Sequence, residues 1–157
     1  ECNLGRATEA KAAAAGGAEG VGLLRTEFLF LERTSAPDTS EQQAEYAAVT
    51  EAFAGRPVTI RILDAGGDKP LPFVSLPRED NPALGLRGLR TGLAYPELLV
   101  NQLAALAATP GDVRVLLPMV NDVTELRRVR TLLAQTGRTL PLGVMIETPA
   151  AVMIVPL

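Results

Sequence analysis

Apolar positions in this chain follow two regimes: short unbroken runs, and longer stretches where they recur at the spacing of one helix face. The runs at 20–25, 57–63, 112–120 and 141–147 read as strands, the third with Pro118 near its end. Between them, 6–17 is Ala-rich and closes on a double Gly, which predicts a helix followed by a stop. Residues 40–54 predict a second helix, with Ser40 as its cap, early carboxylates at its positive end and Gly55 closing it. A short helix is expected over 83–93 and a longer one over 96–108, with Pro96 in its first turn. Another spans 122–136, capped by Asn121 or Asp122, with Leu126, Val129, Leu132 and Leu133 on one face. A last helix begins near Pro149, and the opening stretch 1–5 reads as the tail of a strand. The segment from Asp64 to Pro72 is too rich in Gly and Pro for either element.

Strands alternating with helices predict an α/β fold with a parallel sheet of right-handed βαβ units and about five strands. An open doubly wound sheet and a barrel both fit. A complete eight-stranded barrel takes about 250 residues, so a barrel built from this chain would be partial. Three of the runs end in a charge: Val21 to Arg25, Val58 to Arg61, and Gly143 to Glu147. Ionised groups are costly to bury unless they are paired or bind a ligand. In a parallel sheet such ends gather at the carboxyl edge, where α/β folds bind their ligands. Two arginines and a carboxylate converging there suit an anionic, metal-bound substrate.

Composition narrows the chemistry. With 157 residues, 47% hydrophobic and 21% charged, the chain reads as one globular domain. A net charge of −3, two tyrosines, four phenylalanines and no tryptophan argue against a nucleic-acid surface. No apolar run is long enough to span a bilayer. Cys2 is the one cysteine, so no internal disulfide can form and a reducing cytoplasm is the expected compartment. The chain has no histidine, which excludes a Ser–His–Asp triad and the usual His-containing zinc sites.

Four motifs in order carry a family resemblance. They are Gly17-Ala-Glu-Gly-Val-Gly-Leu-Leu-Arg-Thr-Glu-Phe-Leu-Phe30, Arg61-Ile-Leu-Asp-Ala-Gly-Gly-Asp-Lys69, Asn81-Pro-Ala-Leu-Gly-Leu-Arg87 and Gly143-Val-Met-Ile-Glu-Thr-Pro-Ala-Ala151. Their order and spacing resemble those of the Enzyme I family, the phosphoenolpyruvate–protein phosphotransferases of the bacterial sugar phosphotransferase system. The resemblance covers nearly the whole chain and implies a partial (β/α)8 TIM barrel, roughly its first five βα units. It implies phosphoenolpyruvate as substrate and Mg²⁺ as cofactor. It further implies an acceptor histidine on another domain, the phosphocarrier protein HPr as partner through a domain this chain lacks, and a homodimer. Arg25 and Arg61 match the arginines that grip phosphoenolpyruvate, with Asp64, Lys69 and Arg87 as supporting charges on the same rim. Glu147 matches a Mg²⁺ ligand. The family's second metal ligand, third substrate arginine and acid cysteine match nothing up to Leu157, so no catalytic residue is expected here. On the same grounds, this chain alone is expected to be inactive.

Other readings stand beside this one. Pyruvate phosphate dikinase and phosphoenolpyruvate synthase share the barrel and the Arg-Thr-Glu element, although Asp64 to Lys69 favours the Enzyme I family. An inert scaffold or self-association module is the rival of another class. Residue by residue, Arg25 could be a surface charge paired with Glu27, and Glu147 a carboxylate at a helix start. Gly66-Gly67 reads as turn chemistry. Arg127, Arg128 and Arg130 read as a solvated helix face, and Met119 and Met145 as core filler.

Overall fold

The computed structural model describes residues 1–31, 33–66, 71–77, 79–81 and 83–155. Five strands alternate with helices along them. β1 (Cys2–Leu4) leads through a 3₁₀ turn at Ala7–Glu9 into α1 (Ala10–Ala15), and β2 (Val21–Arg25) follows. Next come α2 (Glu27–Leu31), α3 (Thr39–Phe53) and β3 (Val58–Arg61). The rest runs α4 (Leu89–Ala94), α5 (Pro96–Ala108), β4 (Val113–Leu117), α6 (Val123–Ala134), β5 (Leu142–Val144) and α7 (Pro149–Ile154).

All four strand pairings are parallel and the spatial order is β1-β2-β3-β4-β5, each strand beside its predecessor in sequence. A doubly wound sheet reverses its strand order at a switch point, whereas a (β/α)8 barrel adds strands in succession. The order therefore decides between the two architectures left open above, in favour of a partial barrel.

One face of the sheet is fully covered. Val21, Leu24, Val58, Ile60, Val113, Val115 and Leu117 are buried against the helices, with Tyr46, Val49 and Phe53 of α3, Leu103 and Leu106 of α5, and Val129 of α6. Arg114 and Leu116 alternate with them in β4 and are more exposed. The period of two thus survives even in a strand whose sequence reads as a continuous apolar run. Among the described residues no helix is long and apolar enough to cross a membrane.

Several element ends differ from the sequence expectation, each for a local reason. α3 is capped by Asp38 rather than Ser40: the Asp38 carboxylate accepts from Glu41 N, and Glu41 answers at Asp38 N. Ser40 lies inside the helix. The helix expected over 6–17 is divided, because the Glu9 carboxylate accepts from Gly5 N and Arg6 N and holds the first turn in 3₁₀ form. The helix expected at 83–93 starts only at Leu89, after Gly88 in a positive-φ conformation (φ 58°). β4 stops at Leu117, since Pro118 has no N–H for the ladder. β5 stops at Val144, so Glu147 stands on the loop beyond the strand. α2 has no counterpart in the sequence reading.

Candidate functional site

Arg25 and Arg61 are the last residues of β2 and β3 and direct partners in the ladder between them. In-register neighbours of parallel strands project from the same face of the sheet. The row continues through Leu116 of β4 to Gly143 of β5. Their environments differ sharply. Arg25 is exposed and makes no ion pair or hydrogen bond among the described residues. Arg61 is 7% exposed.

Burial of a guanidinium requires counter-charge, and two carboxylates supply it. Glu27 Oε1 is bonded by Arg61 Nη2, and Asp64 Oδ2 lies 3.6 Å from Nη1. Both acids are themselves buried. Asp64 also carries Arg87, whose Nε donates to Oδ1 at 3.3 Å. The array Glu27–Arg61–Asp64–Arg87 thus joins α2, β3 and the turn before α4. Glu27 therefore serves Arg61, not Arg25 as its sequence position suggests. The reason is geometric: α2 begins directly after β2 and turns its first residue toward the neighbouring strand.

Arg61 keeps spare donor capacity. Its Nε–H is buried without an acceptor among the described residues. Its Nη1 also faces Met145 Sδ at 3.8 Å, a weak acceptor that an incoming oxyanion would outcompete. Met145 is thus a wall of the site rather than core filler.

Glu147 is exposed and reaches back to the segment just after β4, where its Oε1 accepts from Met119 N at 2.7 Å. Thr148 beside it donates to Val120 O at 2.8 Å and caps α7 through Ala151 N. Two successive side chains thereby hook the loop after β5 onto the end of β4. Met119 lies in the left-handed region (φ 58°), a strained state for a side chain with a Cβ and one associated with functional sites. It too belongs to the rim, not the core. Among the described residues no group of three or more His, Cys, Asp or Glu side chains could hold a metal. Glu147 fits Mg²⁺ as a single hard oxygen ligand, a role that bound phosphate oxygens complete in many such sites.

Two glycines let this rim close. A Cβ on Gly66 would meet the Leu86 carbonyl and lie 2.9 Å from Arg87 Cα. On Gly88 it would lie 2.9 Å from the Met119 side chain and 3.2 Å from Asp64 Oδ1. Gly66 provides this close approach together with the turn conformation expected of it, at φ 135°. Lys69 and Gly67 lie outside the described residues.

Behind the arginines runs a buried polar chain. Thr26 Oγ1 donates to Arg61 O at 3.0 Å, and Gln102 Nε2 donates to Thr26 Oγ1 at 3.3 Å and to Tyr46 OH at 3.0 Å. Gln102 Oε1 accepts from Leu63 N at 2.9 Å, and Tyr46 OH donates to Gln42 Oε1 at 3.2 Å. Burial pushes the Tyr46 phenol well above its ordinary value, so it remains a neutral donor and acceptor. The signal for this chain was a single glutamine among leucines and alanines on the inward face of α5. A half-open cavity of about 150 Å³ flanks Arg25, with Arg6, Thr8, Phe28 and Glu45 on its wall. Arg61, Asp64 and Glu147 do not line it.

The arrangement can therefore bind an oxyanion between one free and one braced guanidinium, beside an exposed carboxylate. Comparison with known proteins agrees with that chemistry. The family model described as PEP-utilising enzyme, PEP-binding domain, matches residues 1–157. A multiphosphoryl transfer protein of Rhodobacter capsulatus is 44% identical over 98% of this chain and 20% of its own length. A phosphoenolpyruvate-protein phosphotransferase of Streptomyces coelicolor is 44% identical over 96% of the chain and 28% of its own length. One from Geobacillus stearothermophilus is 39% identical over 95% and 28% respectively. The chain thus spans less than a third of the curated relatives it matches.

Proposed function

The chain belongs to the PEP-utilising enzymes, through their PEP-binding domain, and from that premise we propose that it is the phosphoenolpyruvate-gripping part of a phosphoenolpyruvate–protein phosphotransferase. The observation that carries the reading is the in-register pair Arg25–Arg61 at the carboxyl ends of adjacent parallel strands. Planar guanidinium forks match phosphate and carboxylate oxygens, and phosphoenolpyruvate has one of each. Arg25 approaches the substrate as a free cation. Arg61 is oriented by Glu27 and Asp64, and Asp64 hands part of its charge to Arg87. Lys69, outside the described residues, is assigned by the family resemblance as a further supporting charge for the same substrate.

Glu147 would hold Mg²⁺, which supplies charge neutralisation at the phosphoryl oxygens. Phosphoryl transfer needs alignment and electrostatic stabilisation more than covalent help, and those are what this array offers. The family resemblance supports a histidine as the phosphoryl acceptor, which would stand outside this sequence because it contains none, with HPr receiving the group next. The names of the similar proteins support phosphoryl transfer from phosphoenolpyruvate to a protein; a cytoplasmic homodimer serving sugar uptake belongs to the same proposal, on the family resemblance alone.

Calorimetric titration of the full-length protein with phosphoenolpyruvate and Mg²⁺ tests the reading, alongside Arg25→Ala and Arg61→Ala. Saturable heat in the wild type that vanishes in both variants is the expected result. Wild-type affinity in both would refute it.

A further inference from the structure

We propose that Gln102 is a positioning residue for phosphoenolpyruvate capture, clamping through Thr26 and Leu63 the backbone that presents Arg25 and Arg61. The inference rests on the substrate reading above and deepens it. Thr26 follows Arg25 directly, and its hydroxyl donates to the Arg61 carbonyl at 3.0 Å. That bond carries the β2–β3 connection one step past the ladder, which ends at the Arg25–Arg61 pair. Leu63 lies between Arg61 and Asp64, and its N–H donates to Gln102 Oε1 at 2.9 Å. One side-chain amide on α5 therefore bonds the hydroxyl of the residue after the first arginine and the backbone N–H between the second arginine and its counter-ion.

The amide is held in turn. Its two N–H groups go to Thr26 Oγ1 and Tyr46 OH, and Tyr46 donates onward to Gln42, whose Nε2 donates to Pro37 O. Thr26, Gln42, Tyr46 and Gln102 are each no more than 2% exposed. A buried polar network with its donors and acceptors matched is rigid and admits one arrangement. Hydrophobic packing fixes a strand only loosely along its own axis, because apolar contact has no direction. Hydrogen bonds from a helix side chain to the strand ends supply the missing registration. Placement matters here, since about 1 Å of error in a catalytic constellation can cost about 100-fold in rate.

Gln102→Leu keeps the volume and removes the three bonds, and Thr26→Val removes the hydroxyl alone. Thr109→Val is the control. It caps the far end of α5, fully buried, its hydroxyl donating only to Ala105 O at 2.7 Å, and touches neither arginine. Pyruvate release by the full-length protein would give kcat and KM for phosphoenolpyruvate, and melting would give Tm. Gln102→Leu and Thr26→Val should each lower kcat/KM by about tenfold or more. The double variant should fall little further than Gln102→Leu, because both changes cut the same connection. Thr109→Val should lower Tm yet leave kcat/KM within about twofold of wild type. The proposal is overturned if Gln102→Leu and Thr26→Val retain wild-type kcat/KM while Arg61→Ala abolishes turnover. It is equally overturned if Thr109→Val loses as much activity, since the loss would then follow stability. Wild-type turnover in Arg61→Ala would instead remove the substrate reading, and this inference with it. Should Gln102→Leu not fold, Thr26→Val against Thr109→Val decides alone.

Discussion

Arg25 and Arg61 are partners in one ladder position, yet one guanidinium is exposed and unbonded among the described residues and the other is buried between two acids. Equal roles in binding an anion therefore come with unequal roles in the fold. Arg25→Ala should leave stability within about 0.5 kcal/mol of wild type, as at other surface positions. Arg61→Ala leaves Glu27 and Asp64 buried without it and should cost about 3–5 kcal/mol. Urea denaturation of both variants measures the difference; equal losses would contradict the asymmetry.

Glu147→Gln should separate metal from fold. The amide oxygen can still accept from Met119 N, so Tm should stay near wild type. The charge that attracts Mg²⁺ is gone, so the Mg²⁺ concentration needed for phosphoenolpyruvate binding should rise by more than the about tenfold cost of losing a supporting contact. An unchanged Mg²⁺ requirement would remove Glu147 from the metal's surroundings.

Two glycines at positive φ distinguish strain from collision. At Gly17 (φ 89°) a Cβ would meet nothing within 4 Å, whereas at Gly88 (φ 58°) it would face Met119 and Asp64. Gly17→Ala should cost about 1–2 kcal/mol, the left-handed penalty alone. Gly88→Ala adds overpacking and should cost about 2–4 kcal/mol. It should also weaken phosphoenolpyruvate binding, because the displaced groups belong to the site. Calorimetric melting and ligand titration of the pair read both effects.

Acid should loosen α6 from its N-terminus. The Thr124 N–H holds the Asp122 carboxyl below its ordinary value of 3.8, with the Thr124 hydroxyl and Arg127 adding to it. A group with a depressed folded value contributes stability above its ordinary value and loses it as pH falls through the folded one. Glu9 and Glu41 shift the same way, led by the Gly5 N–H and by Arg33 respectively. Tm should therefore drop between about pH 5 and pH 2. Asp122→Asn, which still caps, should flatten part of that slope. An unaltered slope would show that the cap does not couple to global unfolding.

Much of the fold was legible in order along the chain. β2, β3 and α5 fall close to their expected bounds, because a strand–helix alternation with Gly and Pro punctuation is written locally. Arg127, Arg128 and Arg130 lie exposed on α6, as its apolar face implies. The cap at Asp38 and the late start of α4 were not legible, since each depends on which of several capable residues the chain's path favours.

The site divides in the same way. The alternation of apolar runs with charged ends determined that Arg25 and Arg61 share one edge, because parallel strands align their carboxyl ends whatever packs around them. Only the tertiary structure decided that the strands succeed one another as in a barrel. Only it gave Glu27 to Arg61, set Met145 and Met119 at the rim, and brought Gln102 from α5 to the ends of β2 and β3. Those relations join residues as many as 84 positions apart, as Arg61 and Met145 are. Local pattern records which side of an element is apolar; which charge meets which is settled by the crossing of elements in space.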